Sequence, residues 1–270
     1  MDYARKATKR DGEGKASQFG TTLRAGGVMI DINWIFGGDF LTPESYLPGA
    51  KWESALYSPE NIRAYEAVLN AFYVDRVAPD PVSGAEQWSN GVAGSLLSGG
   101  LAMDWTGWWA LTSIVRADNT LYEFGIAPPP KVVTRNATLY NDPWFMSSKT
   151  QHPEEAWTFI KFATSPESLA KYAEYQGMPP ARHSSFIEGF VPAFSEKLGI
   201  PGNVLMEAFM GSVLHGRSRY EAADMGVEPF ITPYLVEIVS REVPIESGLE
   251  QAHEHLNRFL AEQQEAFGQL

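Results

Sequence analysis

Apolar positions along the chain alternate between helical spacing and short extended runs. Residues 2–9 read as the end of a helix that breaks into a polar loop around Asp11 and Gly14. Residues 19–23 read as a short strand, and residues 28–40 form an apolar, Trp-containing segment that closes on Gly37 and Gly38. Ser58, Pro59 and Glu60 combine an N-cap, a first-position proline and an acid in the first turn. Ile62, Tyr65, Val68, Leu69 and Phe72 then recur at helical spacing, which predicts a helix from 59 onward. Pro79 and Pro81 end it, and a weaker helix over 86–97 stops at Gly99 and Gly100. A strand over 101–105 follows, Gly107 turns it into a helix over 108–115, and a strand over 124–127 is halted by Pro128, Pro129 and Pro130. This alternation predicts an α/β fold with a mostly parallel sheet.

Farther along, residues 143–147 look strand-like, and Pro153 opens a helix whose Ala156, Trp157, Ile160 and Ala163 are expected to face a core. Ser165, Pro166 and Glu167 start another, which Gly177 should end in the left-handed cap conformation. The remainder reads as helices over 204–214 and 231–241 and a last helix with Leu249, Ala252, Leu256, Phe259 and Phe267 on one stripe.

Composition narrows the partners. The chain has 270 residues, 44% of them hydrophobic, enough for one sizeable core or two modest ones. Its formal charge of −12 would repel a phosphate backbone or an anionic membrane, so no nucleic acid is expected. With no cysteine, disulfides, thiolate metal sites and cysteine nucleophiles are excluded. No uninterrupted apolar run approaches the ~18 residues of a membrane span. The five histidines do not cluster, and His253 and His255, two apart on a predicted helix, point to different faces, so no metal and no cofactor are expected. The hydrolase elbow, the phosphate-binding glycine loop and the zinc-protease signature are missing.

Aromatic content is the unusual quantity: 8 Trp, 11 Tyr and 15 Phe, with Trp105, Trp108 and Trp109 crowded together. A tryptophan cluster builds either a thick core layer or a platform for a flat ligand, and composition alone leaves both open.

Several stretches resemble the extracellular solute-binding proteins of bacterial ABC sugar importers, the family that includes maltose-binding protein. The stretch LLSGGLAMDWTGWWAL is similar to the family's glycine-ended helix, short strand and glycine-aromatic helix start. PWFMSSKTQHPEEAWTFIKFATSPESLAKYAEYQGMPPAR matches its order of Ser-Lys strand end, Pro-Glu-x-Ala-Trp helix, Ser-Pro-Glu helix start and Pro-Ala-Arg loop. DYARKATKRDGEGKASQFG and IESGLEQAHEHLNRFL resemble the family's second-lobe entry and last helix. Two departures stand out: Gly100 where the family often has Lys, and Asn141, Asp142 and Pro143 where it often has glycines.

The resemblance implies a type II periplasmic-binding-protein-like α/β fold, with two lobes, a hinge and an interlobe cleft. Residues 1–138 would form the main part of the second, C-terminal lobe, 139–200 a segment of the first, N-terminal lobe, and 201–270 helices returning to the second. Because the match begins well inside the family's chain, the first lobe is expected to be incomplete, with apolar surface exposed on 139–200 and a signal sequence upstream. The implied function is capture of a carbohydrate, without catalysis, for delivery to the transmembrane subunits of an ABC permease. The protein is then expected to be a periplasmic or lipid-anchored extracellular monomer.

A sugar presents an apolar C–H face and a fringe of hydroxyls, which aromatic rings and polar side chains match. Stacking that buries roughly 100 Å² contributes about 2.5 kcal/mol. The resemblance makes Trp109 the leading platform, flanked by Trp108 and Trp105, with Asp104 as a hydroxyl acceptor. Trp34, Asp142, Trp144, Arg182 and Phe230 complete the candidate binding set. Packing roles compete at most of these positions: helix capping for Asp104, loop anchoring for Arg182, core for Trp34. Glycerol phosphate, a polyamine or iron is the alternative cargo, and phosphate would call for several basic residues where only Arg182 is visible. A carbohydrate-active enzyme is the remaining alternative, and it would need two carboxylates about 5–10 Å apart beside the tryptophans.

Overall fold

The computed structural model describes residues 1–23, 29–79, 96–110, 114, 123–140, 142–218, 221–222, 225–226 and 228–268. Helix α1 (Asp2–Ala7) is followed by strands β1 (Lys9–Arg10) and β2 (Ala16–Gln18), and then by helices α2 (Met29–Ile35) and α3 (Pro59–Leu69). Strand β3 (Ala137–Leu139) leads to helices α4 (Pro153–Ala163), α5 (Pro166–Gln176), α6 (Val191–Leu198) and α7 (Gly202–Val213). Strands β4 (Gly216–Ser218), β5 (Glu221–Ala222) and β6 (Met225–Gly226) precede helices α8 (Glu228–Val239) and α9 (Ile245–Gly268).

Helix α3 starts where local chemistry directs. The Ser58 hydroxyl accepts from the Asn61 N–H, Pro59 supplies a preset φ, and Glu60 meets the exposed amides of the first turn. Hydrogen bonding to its own backbone N–H, helped by Arg63, holds the Glu60 carboxyl below its ordinary range. Asn61, Ala64, Tyr65 and Val68 form the buried stripe at spacings of three and four. Burial pushes the Tyr65 hydroxyl upward, so it stays neutral in the core.

That stripe packs with α8 and α9, whose Ile231, Leu235, Ile238, Leu249, Ala252 and Leu256 are sealed from solvent. Gly248 lets the two helices close, because a side chain there would meet Ile238 at 2.3 Å. The buried Asn61 amide donates to the carbonyls of Asp39, Ala55 and Leu56 and so fastens the 39–56 loop to α3. Gly38 is confined to glycine by the same group, since a Cβ would lie 2.0 Å from Asn61 Oδ1. On the far side of this loop, Gln264 and Asn257 of α9 accept from the N–H groups of Trp52 and Ser54.

A second, smaller core collects Ala173, Phe186, Phe190, Phe194, Ile200 and Leu205. It crosses residue 200, because Leu205 and Phe209 of α7 pack into it. Helix α5 begins at the Ser165 cap and ends with Gly177 at φ +70°, both as the sequence predicts.

The strands differ from expectation. Residues 19–23 and 101–105 meet in a single parallel bridge between Phe19 and Leu101, flanked by hydrogen bonds of 2.9 Å. Residues 124–127 and 143–147 form no ladder among the described residues. Extended backbone becomes sheet only where a neighbour offers a matching edge, and the longest pairing described is the parallel β3–β4 pair, Ala137 to Leu139 against Gly216 to Ser218. Gly216 allows its close approach, as a Cβ would strike the Leu139 side chain at 2.4 Å. The helix expected over 86–97 lies outside the described residues except at its end, and that over 108–115 is described only at 108–110 and 114.

Helix α4 forms as predicted, but none of its residues is buried. Trp157, Phe159 and Phe162 are about half or more exposed, and among the described residues α4 meets α5 and, at Phe159, the edge of the Trp144 ring. Among the described residues no core closes over Ala156, Trp157, Ile160 and Ala163.

Candidate functional site

The tryptophan cluster separates into three environments. Trp109 lies across Gly107, where any side chain would run into its ring at 2.0 Å, so the turn presents the indole by being glycine. Half of Trp109 stays exposed, and its ring meets Tyr140 edge to face at 5.7 Å. Tyr140 directly follows β3, which places this aromatic corner at the carboxyl end of the parallel pair, where α/β proteins hold their ligands.

Trp108 turns away from that corner. Its ring sits edge-on to Phe190 and Phe209, each at 6.0 Å, and belongs to the second core. Trp105 packs against the first core instead. Asp104, beside it, is half-buried with both carboxylate oxygens enclosed.

The other candidates are spread along the fold. Trp144 is half-exposed and edge-on to Phe159 of α4 at 5.4 Å, and Asp142 is open to solvent. Arg182 donates to the Thr164 carbonyl at 3.0 Å, tying the loop after α5 to the end of α4. Phe230 stacks on Phe259 with centroids 3.8 Å apart and so faces the first core. Trp34 is 1% exposed, and the Arg217 guanidinium lies 4.9 Å above its ring.

Residues the sequence did not single out also gather here. Tyr140 is the partner of Trp109, and only the fold brings them together. Beyond the opposite end of β3 lies a pocket of about 410 Å³, lined by Trp34, Gly37, Gly38, residues 134–136 and residues 214–217. Arg217 is fixed in its wall by Asp39 at 2.6 Å, while Asp39 also accepts from the Tyr46 hydroxyl. The pocket includes Arg135 and His215.

Solved structures share this fold. An ABC substrate-binding protein of Listeria monocytogenes in complex with cycloalternan matches with a TM-score of 0.73 at 15% identity, over 96% of this chain and 62% of that one. A solute-binding protein of an ABC transporter from Thermotoga lettingae, bound with α-D-tagatose, matches at 0.69 and 20% identity, over 96% and 63%. UgpB of Mycobacterium tuberculosis in complex with glycerophosphocholine matches at 0.64 and 18% identity, over 93% and 60%. The chain thus spans less than two thirds of the length of these structures, and over that part it has the fold of the type II periplasmic solute-binding proteins. No curated protein sequence matches it. The family described as bacterial extracellular solute-binding protein matches residues 7–193, more than half of the sequence, and the chain belongs to that family.

Proposed function

We infer that the protein is the substrate-binding component of an ABC transporter, capturing a carbohydrate and handing it to the transmembrane subunits of a permease. The observation that carries this reading is the exposed Trp109 ring, held by Gly107 and Tyr140 at the carboxyl end of β3. A rigid, half-open indole offers a pyranose face its complement at little entropic cost. Similar proteins in complex with cycloalternan and α-D-tagatose support a sugar. In this reading residues 1–138 and 201–270 form one lobe, 139–200 contribute to the other, and the ligand is held between them. Trp109, Tyr140, Trp144 and Asp142 touch the ligand. Trp105, Trp108, Trp34 and Phe230 back it through the two cores, Asp104 braces the turn, and Arg182 anchors a loop. The protein acts outside the cytoplasm, in the periplasm or on a lipid anchor, as a monomer that binds without catalysis.

Thermal-shift measurement against a sugar panel, followed by calorimetry on the responders, tests it, since a ligand raises stability by mass action. Trp109→Ala is expected to weaken the best sugar by about 10- to 100-fold, the equivalent of roughly 100 Å² of lost stacking, with little change in melting temperature. A response to another solute class with none to any sugar would sink the carbohydrate assignment.

A further inference from the structure

We propose that the pocket at the amino end of the β3–β4 pair is a second binding site, separate from the Trp109 corner, for a small hydroxylated anion such as a sugar acid or a polyol phosphate. Asn136 immediately precedes β3 and His215 immediately precedes β4, so the pocket opens at the end of the pair opposite Tyr140. Its volume of about 410 Å³ lies in the range of small-molecule sites.

Charge selects the ligand class. The chain carries a formal charge of −12, yet Arg135 and Arg217 both line this one pocket. Asp39 neutralises Arg217, whose guanidinium lies 4.9 Å over the Trp34 ring, so that arginine serves as wall. Arg135 has no ion-pair partner among the described residues, which leaves its guanidinium for a bidentate contact with a carboxylate or phosphate.

Two buried polar atoms call for a ligand with hydroxyls as well as charge. Trp34 is 1% exposed and its indole Nε1–H has no hydrogen-bond partner among the described residues. Asn136 is 5% exposed and its Oδ1 is likewise unmatched. Leaving such groups dry costs more than a hydrogen bond returns, so a bound molecule that accepts from the indole and donates to the amide oxygen completes the site. An anionic oxygen suits the first and a hydroxyl suits the second.

The test is calorimetry with matched pairs: glycerol 3-phosphate against glycerol, D-glucuronate against D-glucose, and inorganic phosphate alone. The charged member of at least one pair is expected to bind and its neutral partner not, with affinity falling as salt rises. The first pair responding alone identifies phosphate, and the second alone identifies carboxylate. Arg135→Gln, on a half-exposed side chain whose loss should leave folding intact, is expected to weaken the anion at least tenfold, while Trp109→Ala changes it less than twofold. Equal binding of charged and neutral members, binding of neither, or indifference to Arg135→Gln overturns the proposal. Sugar binding lost in Trp109→Ala without any anion binding would remove this site and leave the transporter reading standing. The converse would remove that reading and leave the site.

Discussion

Helices α9 and α4 carry the same kind of message and meet different fates. Leu249, Ala252, Leu256 and Phe259 make one apolar stripe along α9, and α3 and α8 close over it. Trp157, Ile160 and Ala163 make a comparable stripe on α4, flanked by Phe159 and Phe162, and none of it is buried. Phe162 is 67% exposed, whereas Leu256 is fully enclosed. An amphipathic pattern specifies which face of a helix wants cover, and the cover itself has to come from elsewhere in the fold. In the first region it comes from α3 and from α8, which Gly248 lets approach closely, and in the second the described residues supply little more than α5 and the edge of Trp144.

Leu256→Ala probes the closed side of that contrast and carries the largest expected effect. Deleting a fully buried leucine in a close-packed core removes its transfer energy and leaves a cavity, about 3 kcal/mol of destabilisation. Urea denaturation monitored by tryptophan fluorescence measures it. A loss under about 1 kcal/mol would mean that the α3–α8–α9 core is loosely packed and that the contrast with α4 is one of degree.

Phe162→Ser probes the open side. With most of the ring already in water, the substitution is expected to move stability by less than about 0.5 kcal/mol. It should reduce binding of a hydrophobic dye and light scattering at high protein concentration, because Phe162 is one of several large apolar side chains of α4 that stand exposed, with Trp157 and Phe159. A destabilisation comparable to that of Leu256→Ala would show that this face is covered in solution.

How much of this was legible follows the same division. Ser58 with Pro59, Ser165 with Pro166, and Gly177 announce their roles because a cap is a contact between residues three or four apart. The aromatic weight around Gly107 was visible too, and so was the loop-anchoring alternative for Arg182, which its bond to Thr164 fits. The opposite directions of Trp108 and Trp109 were not, since neighbours at a helix start diverge according to what packs on each side. Asn61 reads as an ordinary polar helix residue, and only the folded loop brings three carbonyls to its amide. Arg135 and Arg217 are far apart in the chain, and parallel pairing of β3 with β4 is what makes them neighbours.

The smallest expected effect concerns the surface of the well-packed region. Arg5 of α1 donates to Asp75, just beyond α3, at 2.8 Å, and this bond, with the attraction of the two charges, holds the Asp75 carboxyl below its ordinary range. A carboxyl depressed in the folded state contributes stability that is present at neutral pH and is lost as pH falls through its folded value. Arg5→Gln should therefore lower the melting temperature slightly at pH 7. The difference between the two proteins should close in acid, below the ordinary carboxylate range, and should shrink in high salt at neutral pH because Arg5 is half exposed. A gap that persists unchanged in acid would show that Arg5 acts through packing of its aliphatic stem rather than through its charge.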